Sequence, residues 1–591
     1  MSGATSYQDV CLDGPSPKAK VDKQQLIGAQ ATSPDSIGSE VAPLQIEESH
    51  SRTKSETSES LKIIIVSSIV FGIAVLVALI VSIKYAPPQV SLKSAVVVAD
   101  DKACSDIGID ILKKGGSGVD AAVAALLCQG VVHMHTSGIG GGGCMLIREH
   151  MDQETVVIDF REEVSAAPPN ITGSVEMGSF VAIPGQLRGL EMAHKKYGQL
   201  SWKEVVMPAV DLAKKALVNV SSPTGDLKLL ESLSRTLERV AHSGADAVYK
   251  GTVADDIIKT INENGGTFVK DDLSNYKARL SKPAAATFHG ITVETAPSPA
   301  GGPILLMILN VLETFPLSPS NASDLATYHR LIEVCRLTDS LRYVHRLIET
   351  IQLAMGNLHK LGDSASGNVT DQLISKQFAD ELHKKIGTST HSWNYYTDEP
   401  NFVPADIEGT HVFVKTHLGD YVSVISSLGG VAGEQTLSSN GIVLNNALVS
   451  FKKASSQGNV YKPGARPTFL LTPAIVHAEK RPCGIQNAVG GSRGSAAISD
   501  VAQVILNMVA YSMTLSDAIK APRFQCTFHA PNVTYNRPLE ASVVKFLHEK
   551  GHDLQLTVGN ATNHVGGVAR INETVHGYAE SVGGGSVTFG D

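Results

Sequence analysis

Hydrophobic and polar positions divide this chain into stretches of different character. Residues 1–61 show no apolar period, are rich in Ser, Thr, Glu, Lys and Gln, and contain no Trp or Phe. Such a stretch cannot bury enough apolar surface to offset the entropy of ordering, so disorder is expected. Ile63 to Ile83 is an uncharged apolar run between Lys62 and Lys84. At about 1.5 Å per residue it is long enough to cross a hydrocarbon core about 30 Å thick. Residues 62–84 are therefore expected to form a transmembrane signal-anchor helix. The run lies too far from Met1 for a signal peptide and lacks a small-residue cleavage site.

From about residue 94 onward, periods of two and of 3.6 alternate. Ala95–Ala99 reads as a strand and Cys104–Leu112 as a helix ending at Gly115-Gly116. Gly118–Cys128 reads as a buried, alanine-rich helix capped by Ser117. His133 and His135 alternate like a strand, a possible metal pair without a clear third ligand. Cys144–Arg148 and Thr155–Phe160 read as strands. Further helices are expected at Gly189–Lys196, Trp202–Lys215, Leu227–His242, Ala254–Asn264, Ile304–Leu312, Leu325–Glu349 and Ala497–Met508, with Pro303 favourably placed at the start of one of them. Thr468–Leu471 and Ile475–His477 are strand-like, and Lys360–Thr370 and Lys385–Ile407 read as surface loops.

The second loop leads to Gly409-Thr410-His411 and a hairpin. His411–Thr416 and Tyr421–Ser427 are β-branched and aromatic, separated by His417-Leu418-Gly419-Asp420. Thr410 stands at the start of the first strand. Alone it is a loop threonine; with the chain cut ahead of it, its hydroxyl would be a nucleophile and its own amine the base.

Composition adds boundaries. The 591 residues are 43% hydrophobic and 18% charged with a net charge of −8, enough chain for a large core and a poor match to nucleic acid. Sequons stand at Asn170, Asn219, Asn321, Asn368, Asn532, Asn560 and Asn572, all beyond the apolar run, which implies a cytoplasmic tail and an extracellular or lumenal body. The basic residues before the run weakly favour the same orientation. Disulfides are then permitted. Cys104 with Cys128 is the first candidate pair and Cys483 with Cys526 a weaker one, while Cys144 and Cys335 have apolar surroundings suited to free thiols.

Gly138-x-Gly140-x-x-Gly143 fits a dinucleotide fingerprint literally, but a strand follows it where a helix is needed, so no cofactor is expected. Arg161, in Asp159-Phe160-Arg161-Glu162, stands at a strand end where it can hold a carboxylate or a solvated ion pair. Ala488-Val-Gly-Gly-Ser-Arg-Gly-Ser495 precedes a helix, the setting of an oxyanion site or of a tight turn.

Several of these motifs in order resemble the γ-glutamyltransferase (glutathione hydrolase) family from about residue 94 to the end. They are Ala99-Asp100-Asp101 with Cys104-Ser105, Gly115-Gly116-Ser117 with Asp120-Ala121, Ser137-Gly-Ile-Gly-Gly-Gly, Asp159-Phe160-Arg161-Glu162, Ile183-Pro184-Gly185 with Arg188-Gly189, and Pro299-Ala-Gly-Gly-Pro303. The resemblance implies an α/β (α+β) N-terminal-nucleophile hydrolase fold, a four-layer αββα sandwich. It also implies self-cleavage into associated fragments, here a large-subunit-like region 94–409 and a small-subunit-like region 410–591. The freed threonine, Thr410, would take a γ-glutamyl group from glutathione and pass it to water or an amino acid. Arg161 would hold the α-carboxylate, Gly494 would donate to the oxyanion, and Cys104 and Cys128 would be bridged. Residues 63–83 would sit in the lipid bilayer of the cell membrane, in a single-pass type II arrangement.

The departures from the family pattern concern chemistry. Aligned on His411 without a gap, the nucleophile position falls on Gly409; with a one-residue deletion it falls on Thr410. Paired serines become Phe469-Leu470, expected as an exposed apolar wall. The acids that hold the glutamyl amino group are lost in Asn445-Asn446-Ala447-Leu448-Val449-Ser450, an asparagine becomes Gly429, and one oxyanion glycine becomes Arg493. Losing charge-assisted contacts of roughly 1.5–3 kcal/mol each would erase γ-glutamyl specificity. An enzyme and a silent, uncut binding protein both remain open.

Overall fold

The period-two stretches of the body pair into two antiparallel sheets. The computed structural model describes residue 62, residues 65–76 and residues 95–589, apart from 151–152, 174–175, 219–226, 316–337, 364–366, 406, 431–435, 454–457, 479–484, 527–531, 558–564, 572–573 and 581–585. The first sheet contains β1 (Val96–Ala99), β2 (Gly142–Arg148), β3 (Thr155–Asp159), β4 (Arg279–Ser281), β7 (Ile407–Lys415), β8 (Tyr421–Gly430) and β18 (Ser586–Phe589). Their spatial order is β18-β1-β7-β8-β2-β3-β4. The second contains β5 (Ala284–Phe288), β6 (Ile291–Thr295), β11 (Thr472–Ala478), β12 (Gln486–Gly491), β16 (Val565–Ile571) and β17 (Thr574–Ala579), in the order β17-β16-β12-β11-β6-β5. Two small sheets join β9 (Thr436–Leu437) to β10 (Val443–Leu444), and β13 (Phe524–Cys526) to β14 (Asn532–Tyr535) and β15 (Asp553–Leu556).

Strand alternation makes four layers of this. Val97, Ala99, Met145, Val412, Val414, Val422 and Val424 bury against helices that include Lys102–Lys113, Gly118–Val132 and Gln186–Tyr197. The alternate residues, among them Val96, Val98, Leu146, Phe413 and Ile425, share a core with Val476, Val489 and Val568 of the second sheet. Helices Gly302–Glu313, Thr338–Gly356 and Ala496–Ala510 contribute to that same core from beyond the second sheet.

Local chemistry sets the helix ends. Ser117 and Asp120 form a reciprocal capping box, and Asp120 also accepts from the amides of Gln199 and Leu200, tying two helix starts together. A disulfide joins Cys104 to Cys128 across the first two helices of the body.

Several expectations change. The alanine-rich helix runs on to Val132 with His133 as its cap, so His133 and His135 do not lie on a strand, and the two imidazoles belong to no three-ligand cluster among the described residues. Helix Thr338–Gly356 extends past Glu349, while the start of the expected Leu325–Glu349 helix lies outside the described residues. Lys385–Ile407 is not wholly a surface loop: a short helix buries Trp393 and Tyr396, whose rings anchor it. Cys144 is a buried free thiol, and Cys526 is also free, so the weaker disulfide candidate is not formed; Cys335 and Cys483 lie outside the described residues. Residues 65–76 are helical with exposed apolar side chains, and no helix among the described residues is long and apolar enough to cross a membrane. The remainder of the 63–83 run lies outside them. Asn170 is exposed, Asn532 is half-buried on β14, and Asn368 falls in helix Gly367–Leu373, while Asn219, Asn321, Asn560 and Asn572 lie outside the described residues.

The disulfide closes a loop of sequence separation 24, and constraining such a loop in the unfolded chain is worth about 3 kcal/mol. The Cys104→Ser, Cys128→Ser double variant is expected to lose about that much in denaturant-unfolding free energy, with a steeper slope against denaturant because its unfolded chain is more expanded.

Candidate active site

Strand β7 starts at Ile407, three residues earlier than Thr410, so Thr410 lies inside the strand opposite Ser426. Two contacts extend the strand backward. Glu408 bridges to Arg493, and the Gly409 amide donates to the Ser492 carbonyl at 2.8 Å. A register shift between Glu408 and Gly409 marks the join.

Alternation then decides which side each residue faces. His411 and Phe413 point at the second sheet: a Cβ on Gly566 would stand 2.5 Å from His411 Nε2 and 3.1 Å from Phe413 Cε2. Gly409 shares their side of β7. Thr410 shares the side of Val412 and Val414, toward the helices. Its hydroxyl donates to the Asp100 carboxylate. The His411 amide donates to the same oxygen at 3.1 Å, His411 Nε2 lies 3.2 Å from the other, and His411 Nδ1 lies 3.3 Å from Ser492 Oγ. Thr410 and His411 are both buried. Opposite Thr410, the Ser426 hydroxyl donates to Gln186 and accepts from Ser137.

Position 409 has no room for a side chain. A Cβ there would lie 2.5 Å from the Ser426 carbonyl oxygen and 2.6 Å from Leu471 Cδ1. The Gly494 N–H, expected to face an oxyanion, donates instead to the Ile407 carbonyl at 2.7 Å.

Arg161 is buried and bidentate on Asp159, with Nε 2.9 Å and Nη2 2.6 Å from the carboxylate oxygens. Arg466, fully buried, adds a second guanidinium 3.0 Å from Asp159 and also reaches Glu163. Burial alone would raise the Asp159 carboxyl, but the two arginines override it and hold it far below the usual range. Nη1 of Arg161 has no hydrogen-bond partner among the described residues. Beside it, burial pushes Glu162 up to about 7 against the pull of its backbone hydrogen bond and of Arg161, and Glu162 Oε1 has no hydrogen-bond partner among the described residues.

The remaining departures are structural. Asn445 donates to the carbonyls of Gly140 and Ala182 and accepts from the Ala182 amide. Asn446 accepts from the Gly430 amide at 2.6 Å, and a Cβ on Gly429, at φ +100°, would stand 2.3 Å from that same Asn446 oxygen. Ala447, Leu448 and Phe451 join a small apolar core with Val164, Ile171 and Phe180. Phe469 and Leu470 are 4% and 2% exposed, not an open wall. Phe469 exchanges backbone bonds with Pro299 and Gly301, which draws the segment into the main core.

Of the expected site residues, Thr410 and Gly494 approach one another only through the backbone of 407–410, and Arg161 sits in a separate charged cluster. Sequence reasoning missed Arg466 and the part played by Asp100. Pro463-Gly464-Ala465-Arg466-Pro467 was the only signal for the arginine, and it specifies a turn rather than a burial site.

Residues 104–222 and 219–589 match the sequence profile of a family described as Gamma-glutamyltranspeptidase. Similar curated proteins include glutathione hydrolase 7 of Rattus norvegicus, 27% identical over 97% of this chain and 94% of its own length. Glutathione hydrolase proenzyme 1 of Schizosaccharomyces pombe is 30% identical over 83% of each chain. Scoloptoxin SSD14 of Scolopendra dehaani is 30% identical over 77% of this chain and 85% of its own. Among solved structures, cephalosporin acylase from Bacillus halodurans shares the fold, with a TM-score of 0.70, 21% identity and coverage of 84% of this chain and 96% of that one.

Two outcomes follow from the packing. Gly409→Thr, which restores a hydroxyl at the ungapped nucleophile position, is expected to cost about 2–3 kcal/mol of stability through overpacking, measured by denaturant unfolding. Glu162 holds its proton more tightly folded than unfolded, so its contribution to stability is complete below about 4.5 and is lost as pH rises through about 7. In Glu162→Gln, the fall of unfolding free energy with pH across that window is expected to be shallower than in the unmodified chain.

Proposed function

Because this chain belongs to the gamma-glutamyltranspeptidase family, we propose that it is a family ectoprotein that stays uncut, does not turn over glutathione, and acts through binding. The proposal includes anchoring through residues 63–83, with the body outside the cytoplasm. One observation carries the catalytic part: the residue of β7 two before His411, on the same side of the strand and bonded through its amide to Ser492, is Gly409, and one added carbon there would force Ser426 or Leu471 to shift. Self-cleavage of this type needs a hydroxyl or thiol next to the carbonyl it attacks, and later turnover needs the amine released by that cut to serve as base. A γ-glutamyl compound such as glutathione is the ligand class the relatives' names supply. Arg161 Nη1 is the one nitrogen of the expected clamp left without a partner among the described residues.

A second reading keeps the enzyme, with Thr410 as nucleophile, Arg161 as carboxylate clamp and Gly494 as oxyanion donor. Its support is the Thr410 hydroxyl already hydrogen-bonded to the Asp100 carboxylate. Cutting the chain before Thr410 would also release the Ile407 carbonyl and with it the Gly494 N–H.

Denaturing electrophoresis of the deglycosylated full chain, with γ-glutamyl anilide turnover, separates the two. A single full-length band and turnover no greater than that of Thr410→Ala are expected. Two fragments meeting at Gly409–Thr410, with turnover abolished in Thr410→Ala, would replace the first reading by the second. Glycosidase treatment of cell-expressed protein is expected to increase its mobility, and unchanged mobility would count against an outward-facing body.

A further inference from the structure

Away from Gly409, helix Thr338–Gly356 and the turn before β15 bring three ligand-type side chains together. His345 and Glu349 lie one turn apart on that helix, and His552 follows the helix Ala541–Glu549. All three are buried, and their ligand atoms lie within 4.8 Å of one another. His345 Nδ1 is 2.8 Å from His552 Nε2, which is 3.9 Å from Glu349 Oε1. Four-coordinate zinc, with ligand bonds of about 2.0–2.2 Å, spaces its donors roughly 3.3–3.5 Å apart. The observed separations bracket that value, so small side-chain rotations suffice.

The neighbours orient the donors in the way that supports a metal. His345 Nε2 lies 3.2 Å from the Gly387 carbonyl, so a neutral ring donating there turns its Nδ1 lone pair toward His552 and Glu349. The Tyr396 hydroxyl stands 2.9 Å from both Glu349 oxygens and fixes that carboxyl. No Lys or Arg forms an ion pair with Glu349 among the described residues. The basic nitrogen nearest to it there is His552 Nε2, at 3.9 Å. A buried carboxyl flanked by two imidazoles and by no cationic side chain is a donor set that a divalent cation satisfies.

We propose that His345, Glu349 and His552 bind a zinc-class divalent cation, with water in the fourth position. Imidazole and carboxylate donors at this spacing suit such an ion better than calcium or magnesium, which prefer all-oxygen shells. The cation pins helix Thr338–Gly356 to the carboxyl-terminal segment. This site is independent of the catalytic reading at Gly409.

The test uses the untagged full chain in detergent, stripped with chelator and then loaded with Zn2+. About one zinc per chain and a rise in Tm on loading are expected. Glu349→Gln keeps the side-chain volume, and His552→Gln removes one donor. Each is expected to weaken zinc binding at least about tenfold and to abolish the Tm rise. Substoichiometric zinc in the unmodified chain, or unchanged binding in both variants, overturns the proposal. Should the variants fail to fold, Co2+ loading of the unmodified chain decides: visible bands of a four-coordinate centre, displaced by Zn2+, support the site, and their absence overturns it.

Discussion

The period of two along β7, where two sheets meet, is the constraint on which the rest depends. The sheets approach closely enough that glycines line the facing strands: a Cβ on Gly490 would lie 3.1 Å from both Ile425 Cδ1 and Phe413 Cζ. A slip of one residue would drive Val412 and Val414 between the sheets and turn His411 and Phe413 toward the helices. Both cores would be lost together. Thr410 therefore cannot take the place of Gly409 by a change of register. Its hydroxyl belongs to the helix side of the sheet as firmly as the valines that follow it.

The charged groups obey a similar rule. Asp159 is shared by Arg161 and Arg466, and Arg466 also donates to the carbonyls of Asp159 and Lys277 while its guanidinium lies 5.4 Å from the centre of the Tyr276 ring. Breaking a buried ion pair by removing one partner costs about 3–5 kcal/mol. A ligand carboxylate would have to draw Arg161 away from Asp159 against that cost, or settle for the one remaining nitrogen. The arginine that resembles a substrate clamp is thus first a structural group.

Much of this architecture is legible in the sequence, and the reason is local. The alternating valines of β1, β7 and β8, the Ser117 cap and the glycine stops declare their elements within a few residues of themselves. The hairpin is also plain, because His417-Leu418-Gly419-Asp420 separates two β-branched runs. The site is less legible because its decisive facts are contacts across hundreds of residues. Gly409 is a glycine because of Ser426 and Leu471, and Gly494 loses its free amide to Ile407 through a pairing that no local pattern announces. Phe469 and Leu470 mislead for the same reason. Read as replacements for polar site residues they suggest an exposed wall, whereas the Pro299–Gly301 segment folds them into the core.

The way this fold is held together has a physical logic. Active sites hold charges and strained groups that cost stability, so sequences released from catalysis are free to exchange them for packing. Here the segment that would carry paired acids supplies Ala447 and Leu448 to a small apolar core. Phe469 and Leu470 likewise sit in the main core. Replacing buried charge with well-packed apolar groups is commonly neutral or stabilising. The two large cores on either side of the first sheet never depended on those acids. A body whose cohesion lies in valine-rich strands and alanine-rich helices therefore keeps its two sheets packed whatever the polar groups around Gly409 contribute.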